Sequence, residues 1–159
     1  DFSDPYYTSA MAVLTTKSVV EAGATADVSS LRSLVWGADA NTTAVPMLNE
    51  LIAPDKTPLL YDDNADVTAA MQAGQIDVAL FDLPTALYLS AVVLNDGALL
   101  GQFPADRSEN PDQFGILMPK DAAIKECVNE ALAALTASGK LAEIEAEWLQ
   151  ATTGVPLIK

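Results

Sequence analysis

Short apolar runs alternate along the chain with longer segments whose apolar residues recur at helical spacing. Apolar runs at Met11–Thr16, Leu34–Ala38 and Ile76–Phe81 predict strands, and the near-continuous run at Leu34–Ala38 is typical of a strand covered on both faces. Apolar stripes in Ala44–Ala53 and Asp121–Ser138 predict helices. The alternation predicts an α/β fold with a largely parallel sheet flanked by helices.

Weaker patterns predict the remaining elements. Further strands are expected at Thr57–Tyr61, Leu99–Phe103 and Phe114–Met118. Further helices are expected at Ala65–Ala73, from Pro84 to about Leu94, and at Leu141–Gln150. The other segments are predicted to be a short helix or loop at Lys17–Arg32, a loop at Ala105–Gln113 and an irregular tail at Ala151–Lys159.

Proline and cap residues predict where two of these helices begin. Proline lacks an N–H, so Pro46 fits only the first helical turn, where that group has no partner. An N-cap at Thr43 makes Pro46 the third helical residue, whereas an N-cap at Thr42 would place it one position too deep. Thr43 is therefore the predicted N-cap. Asn64 is predicted to cap the helix at Ala65–Ala73.

Composition and charge exclude several functions. The 159 residues include 8 Lys and Arg, 22 Asp and Glu and no His, and the resulting charge of −14 repels a phosphate backbone, so no nucleic-acid partner is expected. Half of the residues are hydrophobic, which is too many for a disordered acidic tail. With no His and a single Cys, the chain lacks Ser-His-Asp and Cys-His catalysis, His-ligated metals and an internal disulfide. No cofactor is predicted.

Several conspicuous residues are assigned to packing or capping. Cys127, Trp36 and Trp148 lie in or beside apolar patterns and are interpreted as core residues. The acidic segment at 62–64 lacks the spaced ligands of a calcium loop and is interpreted as a turn with a helix cap. The longest apolar stretch, Ala86–Leu94, is far too short to span a bilayer.

A first candidate binding feature is the turn between the strand at Leu34–Ala38 and the following helix. Asp39, Asn41, Thr42 and Thr43 lie there, at the carboxyl end of a predicted parallel strand, where open α/β sheets collect ligands. Free N–H groups and the positive end of the helix dipole suit an anion, and threonine hydroxyls add donors. The alternative is that these residues only cap the helix.

A second candidate is Asp82, which directly follows the strand at Ile76–Phe81. Its carboxylate could hold an ammonium group through charge-assisted hydrogen bonds. The alternative is again capping, here of the helix that begins near Pro84. Taken together, the turn and Asp82 predict a receptor for a zwitterion, with donors for a carboxylate and an acceptor for an amine.

Four stretches, in order, match a known family. They are DFSDPYY at Asp1–Tyr7, WGADANTT at Trp36–Thr43, MQAGQIDVALFD at Met71–Asp82, and FGILMPK at Phe114–Lys120 followed by the closing helices. The chain resembles the extracellular solute-binding proteins of ABC importers, in the branch that binds polar amino acids. Any one stretch alone is a weak indication of the family, whereas the four together are a strong one, because in this order and spacing they cover essentially the whole chain.

The resemblance implies a periplasmic-binding-protein-like fold of type II, with two α/β lobes joined by two hinge strands. Residues 1–16 become the end of the first lobe and the first hinge strand, and residues 17–113 become the second lobe. Residues 114–159 become the second hinge strand and the C-terminal helices of the first lobe. The hinge strands Met11–Thr16 and Phe114–Met118 are then expected to run side by side. Thr43 with its turn receives the α-carboxylate of the ligand, and Asp82 receives its α-ammonium.

The sequence departs from the family pattern in two ways. Asn41 stands where glycine is usual, and asparagine tolerates left-handed backbone angles better than most residues. The long stretch that normally precedes Asp1 is absent, so the first lobe is expected to be incomplete. The apolar stripe of the C-terminal helices should then be incompletely covered, awaiting the missing segment or a second copy of the chain. That stripe comprises Ile124, Val128, Leu132, Leu135, Ile144 and Trp148.

The predicted function is binding of a small solute, an amino acid above all, for delivery to an ABC transporter permease. The protein is expected to be extracellular or periplasmic, with any lipid anchor in an upstream segment, and not to be an enzyme. Two alternatives use the same fold. One is a cyclohexadienyl-dehydratase-like enzyme, for which Asp82 is the obvious proton donor. The other is a ligand-sensing receptor domain.

Overall fold

The computed structural model describes residues 1–150 and 154–159, and the side chain of Gln150 is not described. The chain divides into two compact units. The smaller unit comprises Asp1–Ser9 and Asp112–Gly154, and the larger unit comprises Ala10–Pro111 and Val155–Lys159. The predicted lobe boundaries at residues 16 and 113 lie a few residues beyond these divisions. The tail at Val155–Lys159, grouped by sequence with the C-terminal helices, belongs to the larger unit.

The described elements alternate strands and helices along most of the chain. The strands are β1 (Tyr7–Thr8), β2 (Met11–Thr16), β3 (Trp36–Asp39), β4 (Leu59–Tyr61), β5 (Val78–Asp82), β6 (Gly97–Phe103) and β7 (Gln113–Phe114). The α-helices are α1 (Lys17–Glu21), α2 (Val28–Arg32), α3 (Ala44–Leu51), α4 (Asn64–Gln72), α5 (Leu83–Tyr88), α6 (Lys125–Ala137) and α7 (Lys140–Glu145). Short π-helices at Leu89–Val93 and Ala146–Gln150 extend α5 and α7, and a 3₁₀-helix covers Ala105–Arg107.

The larger unit is built around a five-stranded sheet in the order β4-β3-β5-β2-β6. β3 is parallel to β4 and to β5, whereas β2 is antiparallel to both of its neighbours, β5 and β6. Four strands therefore run in one direction and β2 runs against them. The prediction of a largely parallel sheet flanked by helices is confirmed.

Both faces of this sheet are buried. Along β2, Met11 and Val13 belong to one apolar cluster while Ala12 and Leu14 belong to another. Residues from α2 and α3 complete the first cluster, and residues from α4 and α5 complete the second. The strand runs are nearly all apolar because each strand is covered on both sides. Trp36 lies in the first cluster, as predicted, and its indole Nε1 donates to the backbone carbonyl of Leu31 at 2.8 Å.

β2 does not pair with the segment that the sequence predicts as its neighbour. It pairs with β5 and β6 in the sheet, and all six of its residues are buried. Its two edges are taken by β5 and β6, and its two faces are covered by the apolar clusters on either side of the sheet. The expectation that Met11–Thr16 runs beside Phe114–Met118 is therefore wrong.

The pairing expected for β2 is made by β1 instead. Tyr7 pairs with Phe114 and Thr8 with Gln113 in an antiparallel ribbon within the smaller unit. The rings of Tyr7 and Phe114 meet edge to face, with centroids 5.3 Å apart. Beyond this ribbon, Phe2 and Leu117 form an isolated antiparallel bridge, so only the first residue of the predicted strand at Phe114–Met118 lies in a strand.

The helices of the smaller unit are exposed. No residue of α6 or α7 is buried, and within the apolar stripe Ile124 is 60% and Trp148 66% exposed. The prediction that the stripe is incompletely covered is confirmed. The placement of Cys127 and Trp148 in the core is wrong, because no described element covers this side of the helices. Gly139, at φ +75°, separates α6 from α7 as predicted.

Candidate functional site

β3 and β5 bring the two candidate features to one edge of the sheet. The strands are parallel neighbours, with Trp36 opposite Val78 and Gly37 opposite Ala79. β3 ends at Asp39 and β5 ends at Asp82. The predicted emergence of the turn and of Asp82 at the same carboxyl edge is therefore confirmed. Such an edge is where open α/β sheets bind ligands.

Hydrogen bonds to Asp39 fix the turn that follows β3. The Asp39 carboxylate accepts the backbone N–H of Asn41 at 2.8 Å. The backbone carbonyl of Asp39 accepts the hydroxyl of Thr42 at 3.0 Å. The same Thr42 hydroxyl accepts the backbone N–H of Ala44 at 3.3 Å. Asp39 and Thr42 therefore stabilise the turn through hydrogen bonds within it.

α3 begins at the predicted position. Thr43 is its N-cap residue and Ala44 its first residue, so Pro46 is the third helical residue and removes no helical hydrogen bond. The first intrahelical bond runs from the N–H of Met47 to the carbonyl of Thr43 at 3.1 Å. Thr43 is exposed at this helix start, where backbone N–H groups and the helix dipole favour an anion.

Asp82 is both the end of β5 and the N-cap of α5. Its Oδ1 accepts the backbone N–H of Thr85 at 2.9 Å, and Pro84 lies in the first turn as predicted. The side chain is half-buried. Within the described residues, Oδ2 of Asp82 accepts no hydrogen bond. Capping and binding are therefore compatible here, because the two oxygens are available for different partners.

Asn41 is directed at a neighbouring turn. Its side-chain Nδ2 donates to the backbone carbonyl of Asp62 at 3.2 Å, just beyond the end of β4. Of the described non-glycine residues, only Ala53 and Asp121 have positive φ, so the turn does not require the left-handed angle expected for Asn41. Asn41 thus ties the β3–α3 turn to the β4–α4 turn.

Sequence reasoning missed two neighbours of this turn. The first is Asp62, whose backbone carbonyl accepts from Asn41. The second is Asp63, which caps α4 in place of the predicted Asn64 and accepts the N–H of Asp66 at 2.8 Å. The prediction for Asn64 is wrong by one position. The acidic residue three positions before Asp66 is the pattern that identifies the cap, because N-cap side chains bond the third helical N–H.

Besides this edge of the sheet, a metal site or a second cavity in the described part of the chain would be a candidate for binding. No group of three or more Cys, Asp and Glu residues there is arranged to hold a metal ion. A surface cavity of about 270 Å³ lies at the opposite edge of the sheet, beside Thr16, Asp77 and Asp96. Two of its polar side chains already have partners: the hydroxyl of Thr16 bonds that of Ser18, and the carboxylate of Asp77 accepts the backbone N–H of Val35.

Within residues 1–150 and 154–159, no helix combines the length and the apolar character needed to cross a membrane.

The sequence matches the model of a protein family described as bacterial extracellular solute-binding proteins, family 3, over residues 1–151. The match covers nearly all of the 159 residues, so this chain belongs to that family. No curated protein matches the chain by sequence.

Solved structures share the fold at low sequence identity. An amino-acid ABC transporter substrate-binding protein from Streptococcus pneumoniae, bound to L-arginine, matches 99% of this chain and 62% of its own, with 23% identity and a TM-score of 0.67. The arginine-, lysine-, histidine-binding protein ArtJ from Geobacillus stearothermophilus matches 93% of this chain and 62% of its own, with 21% identity and a TM-score of 0.62.

A third match is the GluR0 ligand-binding core from Nostoc punctiforme in complex with L-glutamate. It matches 94% of this chain and 65% of its own, with 22% identity and a TM-score of 0.57. The chain therefore spans between 62% and 65% of the length of these three structures. The predicted periplasmic-binding-protein-like fold is confirmed.

Proposed function

We propose that this chain binds a small solute that carries both a carboxylate and an ammonium group, an amino acid above all. The observation that carries the proposal is the position of Asp82 and of the turn at residues 39–43 on adjacent parallel strands. The helix start at Thr43 suits the carboxylate. Oδ2 of Asp82 suits the ammonium through a charge-assisted hydrogen bond.

The family and its structures support this proposal. Three structures with this fold hold L-arginine or L-glutamate or are named for binding basic amino acids. We further propose that the chain works outside the cytoplasm and delivers its ligand to an ABC transporter permease. The proposed function includes no covalent chemistry. Residues that grip the ligand from the other side are proposed to lie in a further segment of the first lobe, which makes binding by residues 1–159 alone weak.

Weak binding is best tested by nuclear magnetic resonance. L-arginine and L-glutamate are titrated into the ¹⁵N-labelled chain, with agmatine, which lacks the carboxylate of arginine, as the matched control. We expect shifts in the amides at 40–44 and in those of Leu83 and Thr85, and no shifts around Thr16 and Asp96 at the opposite edge. Agmatine should leave the amides at 40–44 unmoved. Shifts confined to other regions, or no shifts at millimolar ligand, would contradict the proposal.

A further inference from the structure

The segment Val155–Lys159 is built into the larger unit, although the helices before it belong to the smaller unit. Ile158 is only 3% exposed and belongs to the apolar cluster that contains Met11, Leu100 and Phe103. An isoleucine buried to this degree contributes as much as a residue inside a regular element. The segment is therefore part of the core of the larger unit, and the sequence-based description of the tail as irregular misses this role.

Backbone hydrogen bonds lay this segment along the free edge of β6. Leu157 forms a parallel bridge with Gln102. The N–H of Gln102 donates to Pro156 at 2.9 Å, the N–H of Ile158 donates to Gln102 at 3.0 Å, and the side chain of Gln102 donates to Val155 at 3.1 Å. Two further bonds join Lys159 to the start of α2 and the residues before it: the N–H of Val28 donates to the carbonyl of Lys159 at 3.0 Å, and the N–H of Lys159 donates to the carbonyl of Ala26 at 3.1 Å.

A glycine in β6 makes room for the anchoring side chain. A Cβ atom at Gly101 would lie 2.6 Å from Cγ1 of Ile158 and 3.2 Å from Cβ of Ala26. Any larger residue at 101 would push Ile158 outward. The fit of Ile158 over Gly101 is thus specific, which indicates a built docking position.

The chain passes between the two units three times, at Ser9–Ala10, Pro111–Asp112 and Gly154–Val155. The first two passages are joined to each other, because the N–H of Ser9 donates to the carbonyl of Asp112 at 2.8 Å and β1 pairs with β7. A ribbon of two strands bends and twists easily. The third passage adds a covalent link that ends in a buried anchor.

We propose that Val155–Lys159 is a strap: docked through Ile158 on β6, it limits the range of motion of the smaller unit relative to the larger one. This inference goes beyond solute binding and does not depend on it. A link of fixed length between two bodies removes arrangements in which its ends are too far apart. The strap needs both a docked anchor and a short connection, and each can be altered separately.

The test measures the distance distribution between spin labels on the two units. Cys127 is exposed on α6 and is the only cysteine, so it takes one label, and an Ala69→Cys substitution on the exposed side of α4 takes the other. Insertion of ten Gly and Ser residues after Gly154 lengthens the connection by about 17 Å while leaving the anchor in place. We expect this variant to keep the parent's melting temperature and to show a broader distance distribution.

A second pair of variants tests the anchor. Ile158→Ala should lower the melting temperature by about 10 °C and raise hydrogen exchange at the amides of Gln102 and Val28, whereas Ile158→Val should change both only slightly. Gly101→Ala should lower the melting temperature of the parent chain. It should lower that of the Ile158→Ala variant less, because alanine at position 158 leaves room for the added methyl group. Ile158→Ala should also broaden the distance distribution.

Two results would overturn the strap. An unchanged distance distribution in the insertion variant would show that the connection restrains nothing, and the segment would then be core filling alone. Unchanged melting and exchange in Ile158→Ala would show that the anchor is not docked. Neither result bears on whether amino acids bind at Asp82 and Thr43, so failure of the strap and failure of the proposed function are distinguishable.

Discussion

The carboxylates of Asp63 and Asp82 make the same hydrogen bond at the starts of two helices. Oδ1 of Asp63 accepts the N–H of Asp66 at 2.8 Å, and Oδ1 of Asp82 accepts the N–H of Thr85 at 2.9 Å. Both residues follow parallel strands at the same edge of the sheet. β4 and β5 both lie beside β3, but Asp82 is the last residue of β5, whereas Asp63 lies two residues beyond the end of β4.

Asp82→Asn should weaken binding without weakening the fold. Asparagine caps a helix about as well as aspartate, so the unfolding free energy should change by less than about 0.5 kcal/mol. Loss of the charge-assisted bond to the ammonium should cost about 1.5–3 kcal/mol, or ten- to a hundredfold in affinity for L-arginine. Urea unfolding and resonance titration of the same variant measure the two quantities.

Asp63→Asn is the matched control for this prediction. It exchanges the same groups at an equivalent cap and should leave both stability and affinity unchanged. Equal affinities of Asp82→Asn and the parent chain would reduce Asp82 to a helix cap, and the proposed zwitterion site would lose its acceptor.

Asn41→Ala should loosen the β3–α3 turn. The bond from Nδ2 to the carbonyl of Asp62 is exposed, so its loss should cost at most about 1 kcal/mol of stability. Exchange of the Ala40 amide, which donates to the carbonyl of Tyr61 at 2.9 Å, should become faster. Affinity for L-arginine should fall by up to about fivefold, because the helix start is less well placed.

Asn49→Ala provides the comparison for Asn41. The side chain of Asn49 is also exposed and donates to a backbone carbonyl at 3.2 Å, but that carbonyl, of Val45, lies in its own helix. Exchange at Ala40 should therefore match the parent. Identical exchange in both variants would mean that the link from Asn41 to Asp62 does not hold the turn.

Trp36→Phe should destabilise the larger unit by about 2–4 kcal/mol. The indole is buried and its N–H donates to the carbonyl of Leu31, so phenylalanine removes that hydrogen bond and packed volume, although the carbonyl keeps the N–H of Leu34 at 3.3 Å. Trp148→Phe, at a side chain 66% exposed, should change stability by less than about 0.5 kcal/mol. Urea unfolding followed by circular dichroism compares the two variants, and similar losses would contradict the burial of one and the exposure of the other.

Replacing Ile124 and Leu135 together with glutamine should reduce self-association. Both side chains are exposed on the stripe of the smaller unit, at 60% and 40%, and glutamine keeps the helix propensity. Sedimentation velocity should show less associated material, with the melting temperature unchanged. A lower melting temperature would instead show that the stripe is packed. Whether a first-lobe segment or a second copy normally covers the stripe stays a prediction.

Strand positions could be predicted because the sheet is covered on both faces. Such strands need unbroken apolar runs, and these mark β2, β3 and β5 to within two residues of their ends. The role of β2 could not be predicted in this way. An apolar run is the same whether the strand lies inside a sheet or joins two domains, and only the pairing with β5 and β6 decides between them.

The candidate site likewise has a part that the sequence predicts and a part that it does not. Thr43 and Asp82 could be placed from sequence because each follows a predicted strand and precedes a predicted helix. The bond between Asn41 and Asp62 spans 21 positions and arises from the register of β3 against β4, which the sequence does not encode locally. The docking of Ile158 is similarly non-local, because five residues without a repeating pattern carry no sign of their partner.

The burial of Ile158 also bears on synthesis of the chain. The core of the larger unit contains both Met11 and Ile158, which lie far apart along the chain. Chains leave the ribosome from the N-terminus at about 5–20 residues per second, so the sheet can assemble for several seconds before its last apolar side chain emerges. Until Ile158 has emerged, the edge of β6 and the space over Gly101 stay open to solvent. Nascent chains that end before Ile158 should therefore engage chaperones more than chains that extend past it, and ribosome profiling of chaperone-bound chains can detect the difference.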